Sequence, residues 1–565
     1  MRLTFLSAIL TLFCYFSCST PEPIEEFVEE ILVDSTAIYE RMQREQDSTL
    51  TAFFLEQYID MMGLIDGGIL RGRTITSPSI IPDLYQRHSQ QLFWKDSLDR
   101  ERAIEVLEKA YEDGLEPDEY HLEAIRDLDS QASDDFDILT SLDILITDGL
   151  IHYFNHLLSG RLDPKTHVPN LIHDRRSFMG SDLPRMFDSF ASGRPDSLIG
   201  IFRPPSQYYH YMMKGLEHYT QLNDSGAWKV TSITERKLEP GGTYSDIPSI
   251  RERLRVEGDF MDLKSNLDDS LSDEKYYDPI LQRAVERFQI RHGLNPDGVI
   301  GRGTVEAMNI SAQEKVDLLK INLERARWIH HDLDSNYVLV NIAGFDLRLV
   351  KGDTLCWTTK VMVGKKSTST PVFRDMIEYI EVNPDWTVPF SISNYEILPK
   401  LKVDESYLRR NNMELLTMSG TPVDESAIDF NDFEEKMPYI VRQGPGDNNS
   451  LGRVKFLFPN QFRVYLHDTP SKNLFVKEQR AFSHGCIRVQ NPFRLAEYLL
   501  SDQGVTPAYI DSIRQTEERF RFDLETPIPV LITYSTASAD ADLVYFYEDV
   551  YGRDEEIRLA LRPTF

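Results

Sequence analysis

The hydrophobic pattern of this 565-residue chain changes from helical to strand-like periodicity near its middle. Over residues 51–229 apolar side chains recur three and four positions apart, as in Ala103, Val106 and Leu107, which predicts helices. From Tyr337 onward, short apolar runs alternate with turn residues, which predicts a domain of many short strands. We therefore expect a multidomain α+β protein, with a helical first part and a mostly-β second part.

Glycine and proline runs divide the helical part. The run Leu238–Gly242 (LEPGG) predicts a boundary. Beyond it, apolar residues at helical spacing and two glycine turns within 297–303 lead to Thr304, which we expect to cap a last short helix. These features predict a small three-helix module over residues 236–312, followed by a connecting helix over 313–335.

The net charge of the chain is −30, with 91 acidic and 61 basic residues. Nucleic-acid phosphates and anionic lipid surfaces both call for a basic face, so this balance argues against both as binding partners. Hydrophobic residues make up 41% and charged residues 27%, which is ordinary for a soluble globular protein.

The chain opens on an apolar run, Leu3–Phe16, that is too short to cross a bilayer as a helix. It is typical of the apolar region of a secretory signal peptide, so we expect export. Ser17-Cys18 resembles a lipobox, with Tyr15 where leucine is usual, and predicts lipidation of Cys18. Ordinary signal cleavage is the alternative. The acidic stretch over 19–50 is expected to be a tether.

The stretch Ala481–Val489 (AFSHGCIRV) has the composition of a nucleophile turn. Gly485 allows a sharp turn, in which successive N–H groups can point at a developing oxyanion. A neighbouring cation or imidazole lowers the pKa of a thiol, so we expect Cys486 to act as a thiolate. A structural cysteine in a buried turn is the alternative.

A second histidine, His467, lies 19 residues before Cys486 and is the candidate base. Asp468 is a poor candidate for orienting it, because neighbouring side chains on a strand point to opposite faces. A disulfide between Cys356 and Cys486 would silence the nucleophile, so we expect Cys356 to be a buried free thiol. Neither His330-His331-Asp332 nor His467-Asp468 has metal-ligand spacing, so no metal is expected.

His467 followed by Ser-His-Gly-Cys-Ile-Arg-Val resembles the signature of the L,D-transpeptidases, the YkuD-like enzymes that remodel peptidoglycan. Gly114-Leu-Glu-Pro and Gly160-Arg-Leu-Asp-Pro resemble the scaffold domain of the large, YcbB-like branch. Ala284-Val-x-x-Phe-Gln followed by Asp297-Gly-x-x-Gly-x-x-Thr resembles a peptidoglycan-binding module, and the stretch beginning at Asn383 (NPDWTVP) resembles the family's catalytic domain.

The β pattern breaks between Phe390 and Tyr439, where we expect short helices at 396–401, 407–413 and 430–436 on a polar loop. In the large branch a capping subdomain occupies this place, so the resemblance implies a lid. Pattern and resemblance together divide the chain into a signal peptide (1–18), tether (19–50), helical scaffold domain (51–235), peptidoglycan-binding-like domain (236–312), connecting helix (313–335), mostly-β catalytic domain (336–555) with its helical lid insertion (390–439), and C-terminal tail (556–565).

The resemblance implies a peptidoglycan transpeptidase that forms 3→3 crosslinks between stem peptides through a cysteine thioacyl-enzyme, without a cofactor. It implies that Cys486 is the nucleophile and His467 the proton donor and acceptor. Ser483, His484 and Gly485 would shape the turn and its oxyanion site, and Arg488 would buttress the loop or hold a substrate carboxylate. Trp386 and Tyr465 are candidates for lining the substrate cleft.

Two alternatives stay open at this point. The same thioester met by water gives an L,D-carboxypeptidase that trims tetrapeptide stems. A non-catalytic lipoprotein could instead anchor the cell wall through the helical module, without using Cys486 and His467 together. The expected partners are peptidoglycan stem peptides and glycan, with no nucleic acid. Contact with a membrane is expected only through a lipid on Cys18 of an exported, periplasmic protein.

Overall fold

The computed structural model describes Thr49 and residues 52–53, 55–58, 68–88, 91–131, 135–168, 176–260, 273–352 and 354–562. The expected signal peptide, the lipidation site Cys18 and all of the expected tether except Thr49 lie outside these ranges. No helix within them has both the length and the apolar run that a membrane span needs. The expected multidomain α+β architecture is confirmed.

The described chain divides into two compact units. The first comprises the described residues up to 105 together with 120–152 and 180–193. In it, the buried carboxylate of Asp148 accepts hydrogen bonds from the backbone N–H groups of Thr76 and Ser77 at 3.0 and 2.8 Å, and lies 2.8 Å from His121 Nε2. Its elements are the antiparallel strands β1 (Ile69–Leu70) and β2 (Arg73–Thr74), helices Ile81–Arg87, Leu122–Ser130 and Leu183–Ala191, and most of helices Ser97–Glu108 and Phe136–Ser159.

The second unit comprises 106–119, 153–179 and the chain from 194 onward. Its helices before the β domain are Pro164–His167, Asp196–Phe202, Gln207–Asp224, Ile247–Val256, Pro279–Arg291, Arg302–Met308 and Ala312–Ile329. Ser311 and Glu314 form a capping box at the start of the last of these, since each side chain bonds the other's backbone N–H.

The expected cap at Thr304 is wrong. Helix Arg302–Met308 begins two residues earlier, after Gly301. The Thr304 hydroxyl donates instead to the carbonyl of Val299 at 3.2 Å and accepts from Gln289 Nε2 at 3.3 Å. Thr304 lies in the first turn of helix Arg302–Met308. Its two hydrogen bonds join the preceding glycine-containing loop to helix Pro279–Arg291 and so stabilise that loop.

The β domain is built on a nine-stranded sheet in the order β13-β5-β14-β12-β11-β6-β15-β3-β4. A further pairing joins β4, the last strand of this order, back to β5, the second, so the sheet closes on itself. The helices Pro492–Leu500 and Pro507–Thr516 supply Leu495, Leu499 and Ile510 to the core of this sheet. The strands are β3 (Tyr337–Asn341), β4 (Asp346–Lys351), β5 (Thr354–Gly364), β6 (Phe373–Val382), β11 (Val454–Leu457), β12 (Leu466–His467), β13 (Ala481–Ser483), β14 (Ile487–Val489) and β15 (Phe520–Thr533).

The insertion is a small folded subdomain, which corrects the expectation of short helices on a polar loop. Helical turns run without a break from Phe390 to Leu401 and pass through a π-helical turn at Ser393–Ile397. The expected helices at 407–413 and 430–436 shrink to Tyr407–Arg410 and a 3₁₀ turn at Phe430–Asp432. A four-stranded sheet accompanies them, in the order β7 (Trp386–Thr387), β10 (Ile440–Gln443), β8 (Met413–Leu416) and β9 (Pro422–Val423).

The insertion folds because it has its own apolar core. Leu398, Leu401, Leu408, Leu415 and Val441 are all buried in one cluster within it. The chain ends with the hairpin β16 (Ala537–Ala539) and β17 (Val544–Phe546) and the helix Asp554–Ala560.

Candidate active site

The turn that carries Cys486 connects β13 to β14 and is fixed by its own hydrogen bonds. Ser483 Oγ donates to the Cys486 carbonyl at 2.6 Å and accepts from the Gly485 N–H at 3.1 Å. Gly485 has φ +115°, a backbone conformation that side-chain-bearing residues rarely adopt. Its carbonyl accepts from Thr370 Oγ1 at 2.8 Å. The backbone around Cys486 is therefore held from both sides.

The pairing of β12 with β14 brings the predicted catalytic residues to one face. The two strands are parallel, with His467 opposite Arg488, and the Ile487 N–H donates to the Tyr465 carbonyl at 3.1 Å. Side chains alternate along extended backbone, so His467 and Tyr465, which immediately precedes β12, share a face with Arg488 and with Cys486, which immediately precedes β14.

A row of polar side chains crosses the sheet at this level. Glu381 on β6 lies opposite Lys455 on β11, which lies opposite His467, which in turn lies opposite Arg488. The Lys455 Nζ is 2.9 Å from Glu381 Oε2 and 5.5 Å from the centre of the Tyr465 ring. Two cations therefore flank His467 on its neighbouring strands.

The His467 imidazole is neutral over the ordinary pH range. Burial and, next to it, the charge of Arg488 lower the pKa of its ring to about 3, against the opposing effect of backbone groups of Asp468 and Leu451. Its Nδ1 is buried and has no hydrogen-bond partner among the residues that the structure describes. The Asp468 carboxylate accepts from the Arg453 N–H at 2.9 Å, as expected of a side chain on the other face.

The expected thiolate at Cys486 is not the resting form. Burial raises the pKa of the Cys486 thiol above its ordinary value, and hydrogen bonding to Tyr465 and the charges of Arg488 and Lys455 only partly offset the rise. The cations that sequence reasoning relied on are present, but the loss of solvent around the sulfur outweighs them. The pair therefore rests as a neutral thiol and a neutral imidazole.

Tyr465 lies between the thiol and the indole of Trp386. Burial raises the pKa of its phenol, and the charge of Cys486 raises it further, while hydrogen bonding to Trp386 opposes the rise. The phenol therefore keeps its proton and can donate it in a hydrogen bond. The Gly485 N–H is already engaged by Ser483, so the Cys486 N–H and, after the sulfur has reacted, the Tyr465 hydroxyl are the donors for an oxyanion.

These residues line a cleft of about 830 Å³. One wall is the β12–β14 face and the other is the insertion. Its lining includes the predicted residues Trp386, Tyr465, His467, Ser483, His484, Cys486 and Arg488.

The charges that line this cleft are unlike those of the whole chain. Lys400, Arg463 and Arg488 are basic, whereas Glu396 is the only carboxylate among the described lining residues. Glu396 Oε1 lies 2.6 Å from Nε2 of His484, two residues before the nucleophile.

Sequence reasoning missed the residues that support the site from distant segments. Thr370 bonds the nucleophile turn, and the Tyr551 hydroxyl donates to the Gly364 carbonyl beside it at 2.7 Å. Glu396 and Arg463 also line the cleft without having been predicted. None of the four lies in a recognisable motif. The fold brings Thr370, Tyr551 and Glu396 to the site from distant segments, whereas Arg463 lies only four residues before His467.

Cys356 is a free thiol, but the expectation that it is buried is wrong. It lies in a β-bulge of β5, because Leu349 pairs with Trp357 and Val350 with Leu355, which leaves Cys356 without a partner residue. The side chains from Thr354 to Cys356 are exposed. Within the described ranges, no group of three or more histidine, cysteine or acidic side chains could hold a metal ion.

Three family models match the chain. Residues 335–511 match the "L,D-transpeptidase catalytic domain", residues 79–216 the "Scaffold domain" and residues 245–308 the "Putative peptidoglycan binding domain".

A protein of Haemophilus influenzae described as "Putative L,D-transpeptidase" is 34% identical over 242 residues, which are 43% of this chain and 49% of that protein. The chain thus spans about half the length of the curated relative it matches.

Solved structures are similar at lower identity. An L,D-transpeptidase of Stackebrandtia nassauensis is 13% identical with a TM-score of 0.20, and the match covers 54% of this chain and 97% of that one. An L,D-transpeptidase of Xylanimonas cellulosilytica is 14% identical with a TM-score of 0.17, and the match covers 54% of this chain and 100% of that one.

Proposed function

We propose that this chain, whose residues 335–511 match the L,D-transpeptidase catalytic domain, forms 3→3 crosslinks between peptidoglycan stem peptides. The observation that carries the proposal is the arrangement of Cys486, His467, Tyr465 and Arg488 on one face of β12–β14, inside the matched domain and open to one cleft. A wall-anchoring protein without catalysis would have no need for this arrangement.

The first half-reaction transfers the donor stem to the enzyme. The Cys486 thiol gives its proton to the neutral His467 ring while sulfur attacks the carbonyl of the third stem residue. A C–S bond forms, the C–N bond to the terminal D-alanine breaks, and His467 passes the proton to the departing amine. Because the thiol pKa is raised and the imidazole pKa is lowered, proton transfer accompanies C–S bond formation.

The oxyanion of the tetrahedral intermediate needs donors that are not already engaged. The Cys486 N–H meets this requirement, whereas the Gly485 N–H is held by Ser483. The Tyr465 hydroxyl contacts the Cys486 sulfur at rest and can turn to the oxyanion once the C–S bond has formed. Arg488 lies on the same face, and its Nε is buried without a hydrogen-bond partner among the described residues. We propose that it holds a carboxylate of the donor stem.

The second half-reaction resolves the thioester. The side-chain amine of a diamino acid on another stem attacks the thioester carbonyl and gives a proton to His467. A C–N bond forms, the C–S bond breaks and the thiolate regains its proton. Water in place of the amine gives a trimmed tripeptide, so crosslinking and trimming differ only in the acceptor.

Mass spectrometry of muropeptides after incubation with the purified full-length protein tests this function. We expect 3→3 crosslinked products and released D-alanine. Cys486→Ala should abolish both, and His467→Ala should reduce turnover by roughly 10²–10⁴-fold, the usual range for a positioned acid–base group. Cys356→Ala is the matched control. If Cys486→Ala retains activity, the proposal is wrong.

The proposal includes a place of action. The match of residues 245–308 to a peptidoglycan-binding module supports retention of the protein on the wall, and the cell-wall character of the matched domains supports export to the periplasm. Lipidation of Cys18 is part of the proposal as well. Cys18→Ala should move the protein from the membrane fraction to the soluble fraction, and an unchanged distribution would favour ordinary signal cleavage.

A further inference from the structure

Glu396 carries a negative charge in a cleft whose other charged lining residues are basic. The described lining residues include three basic side chains, Lys400, Arg463 and Arg488, and no other carboxylate, although acidic residues outnumber basic ones in the chain by 91 to 61. A basic cleft suits a stem peptide with carboxylates. It repels the acceptor, because an alkyl ammonium of lysine type has a pKa near 10.4 and is charged at neutral pH.

Glu396 is also close to the chemistry. Its Oε1 lies 2.6 Å from Nε2 of His484, which precedes Cys486 by two residues. Its side chain is 45% exposed, so an incoming group can reach it. A carboxylate has two oxygens, and this contact uses one, which leaves Oε2 able to accept from an ammonium.

The local backbone aims this side chain. Glu396 lies on the π-helical turn Ser393–Ile397, between two ordinary helical turns of the insertion. Such single π turns occur frequently at functional sites, since the wider turn redirects side chains. Ile397 and Leu398, which follow, are buried in the core of the insertion, so the turn is anchored while Glu396 faces the cleft.

We propose that Glu396 is the residue that binds the cationic amine of the acceptor stem and so selects an amine over water. This inference rests on the proposed function. Glu396 binds the ammonium, one proton leaves to solvent, and the neutral amine attacks the thioester as described above. Glu396 determines specificity for the acceptor and takes no part in acylation.

The test uses the full-length protein with a tetrapeptide donor and two acceptors, a stem with a free diamino-acid amine and hydroxylamine, which is uncharged at neutral pH. Glu396→Gln should raise the KM of the cationic acceptor about fivefold, the scale of a partly exposed ion pair. It should leave transfer to hydroxylamine, and the release of D-alanine measured without the cationic acceptor, unchanged. Glu396→Asp should restore part of the affinity. Glu435→Gln, a change at an exposed carboxylate of the same insertion outside the cleft lining, should have no effect.

An unchanged KM for the cationic acceptor in a folded Glu396→Gln protein overturns the inference. So does an equal loss with hydroxylamine, because that result would assign Glu396 a structural role through His484. Failure of the wild-type protein to release D-alanine would instead overturn the proposed function, and this inference with it.

Discussion

At the scale of single residues, the protonation states of Cys486 and His467 differ from those that the motif alone predicts. The motif predicts a reactive thiolate, whereas burial keeps Cys486 protonated and His467 unprotonated at neutral pH. The Cys486–His467 pair is therefore uncharged at rest, and charge develops on it only when the substrate supplies a carbonyl to attack.

The pH dependence of Cys486 alkylation tests this resting state. Because its thiol pKa is raised, we expect the iodoacetamide rate to keep rising above pH 8.5, the ordinary midpoint for cysteine. No inflection is expected between pH 5 and 8, because the pKa of His467 is about 3. Arg488→Gln should move the midpoint higher, because that charge stabilises the thiolate. Peptide mapping by mass spectrometry separates Cys486 from Cys356, and an inflection near pH 6.5 would contradict the assignment.

Covalent labelling provides a second test at the same scale. A β-lactam of the carbapenem class should add one drug mass to the protein, at Cys486. Cys356 is more exposed, but it lies in the bulge of β5 away from His467 and should remain unmodified. An adduct at Cys356, or none at all, would remove Cys486 from its proposed role.

The motif predicted that His467 and Cys486 belong to one site, and the structure places both in the lining of one cleft. Glu396 and Thr370 were not predictable, because each reaches the site from a segment about 90 to 115 residues away in sequence. A contact of that kind depends on the closed sheet and the insertion, which local patterns do not specify.

At the scale of elements, regular hydrophobic periodicity predicted the long helices and strands correctly, whereas the short elements could not be predicted from it. The long helices and the main strands follow the predicted pattern. The strands Met413–Leu416 and Pro422–Val423 are too short to show alternation, so their region was predicted to be a loop with helices. The Thr304 cap was wrong because a hydroxyl can bond a loop carbonyl as readily as a helix N–H.

The helix Ala312–Ile329 meets the small helical module through buried charges. The Lys315 Nζ contacts the Glu257 carboxylate and lies 3.1 Å from His292 Nε2. Arg253 Nη1 donates to Glu257 Oε2 at 2.7 Å, and Arg291 Nε donates to Asp259 Oδ1 at 2.8 Å.

This cluster has three basic side chains, Lys315, Arg253 and Arg291, around the two carboxylates of Glu257 and Asp259. Burial opposes ionisation of Glu257, but the charges of Lys315, Arg291 and Arg253 outweigh it and hold the pKa of that carboxyl well below its usual range. Burial lowers the pKa of Lys315 to about 8.

Removing one charge from this cluster should have unequal effects on stability. Glu257→Gln leaves three cations facing one carboxylate, so we expect a loss of about 3–5 kcal/mol in the free energy of unfolding, the usual cost of breaking a buried pair. Lys315→Met leaves two cations and two carboxylates, so its loss should be smaller. Chemical denaturation of both variants measures the difference. Equal losses would indicate that packing, rather than charge balance, dominates at this site.

At the scale of the whole molecule, the insertion is the part of the β domain that can change the fate of the thioester. It forms one wall of the cleft and contacts the nucleophile turn through Glu396 and His484. A thioester has to survive until an amine arrives, so excluding water has a chemical purpose. We predict that the insertion is a mobile lid whose opening admits the acceptor.

The fold permits its removal. The base of the insertion is closed by β7 and β10, where Thr387 pairs with Arg442 and the Val388 N–H donates to the Val441 carbonyl at 2.9 Å. Replacing the residues between Ile392 and Met437 by a short Gly-Ser linker keeps this pairing and removes most of the separate core of the lid. The nine-stranded sheet has its own core, so the shortened protein should fold.

We expect the shortened enzyme to be acylated by donor but to convert the thioester mainly to trimmed tripeptides, because water gains access and the amine loses its guide. Muropeptide mass spectrometry gives the ratio of crosslinked to trimmed products, and labelling of Cys486 by a β-lactam provides the control for an intact nucleophile turn. Glu396→Gln in the full-length protein should weaken crosslinking without a matching rise in the rate of hydrolysis, since its lid still excludes water. A wild-type product ratio from the shortened enzyme would show that the insertion does not control which acceptor reaches Cys486.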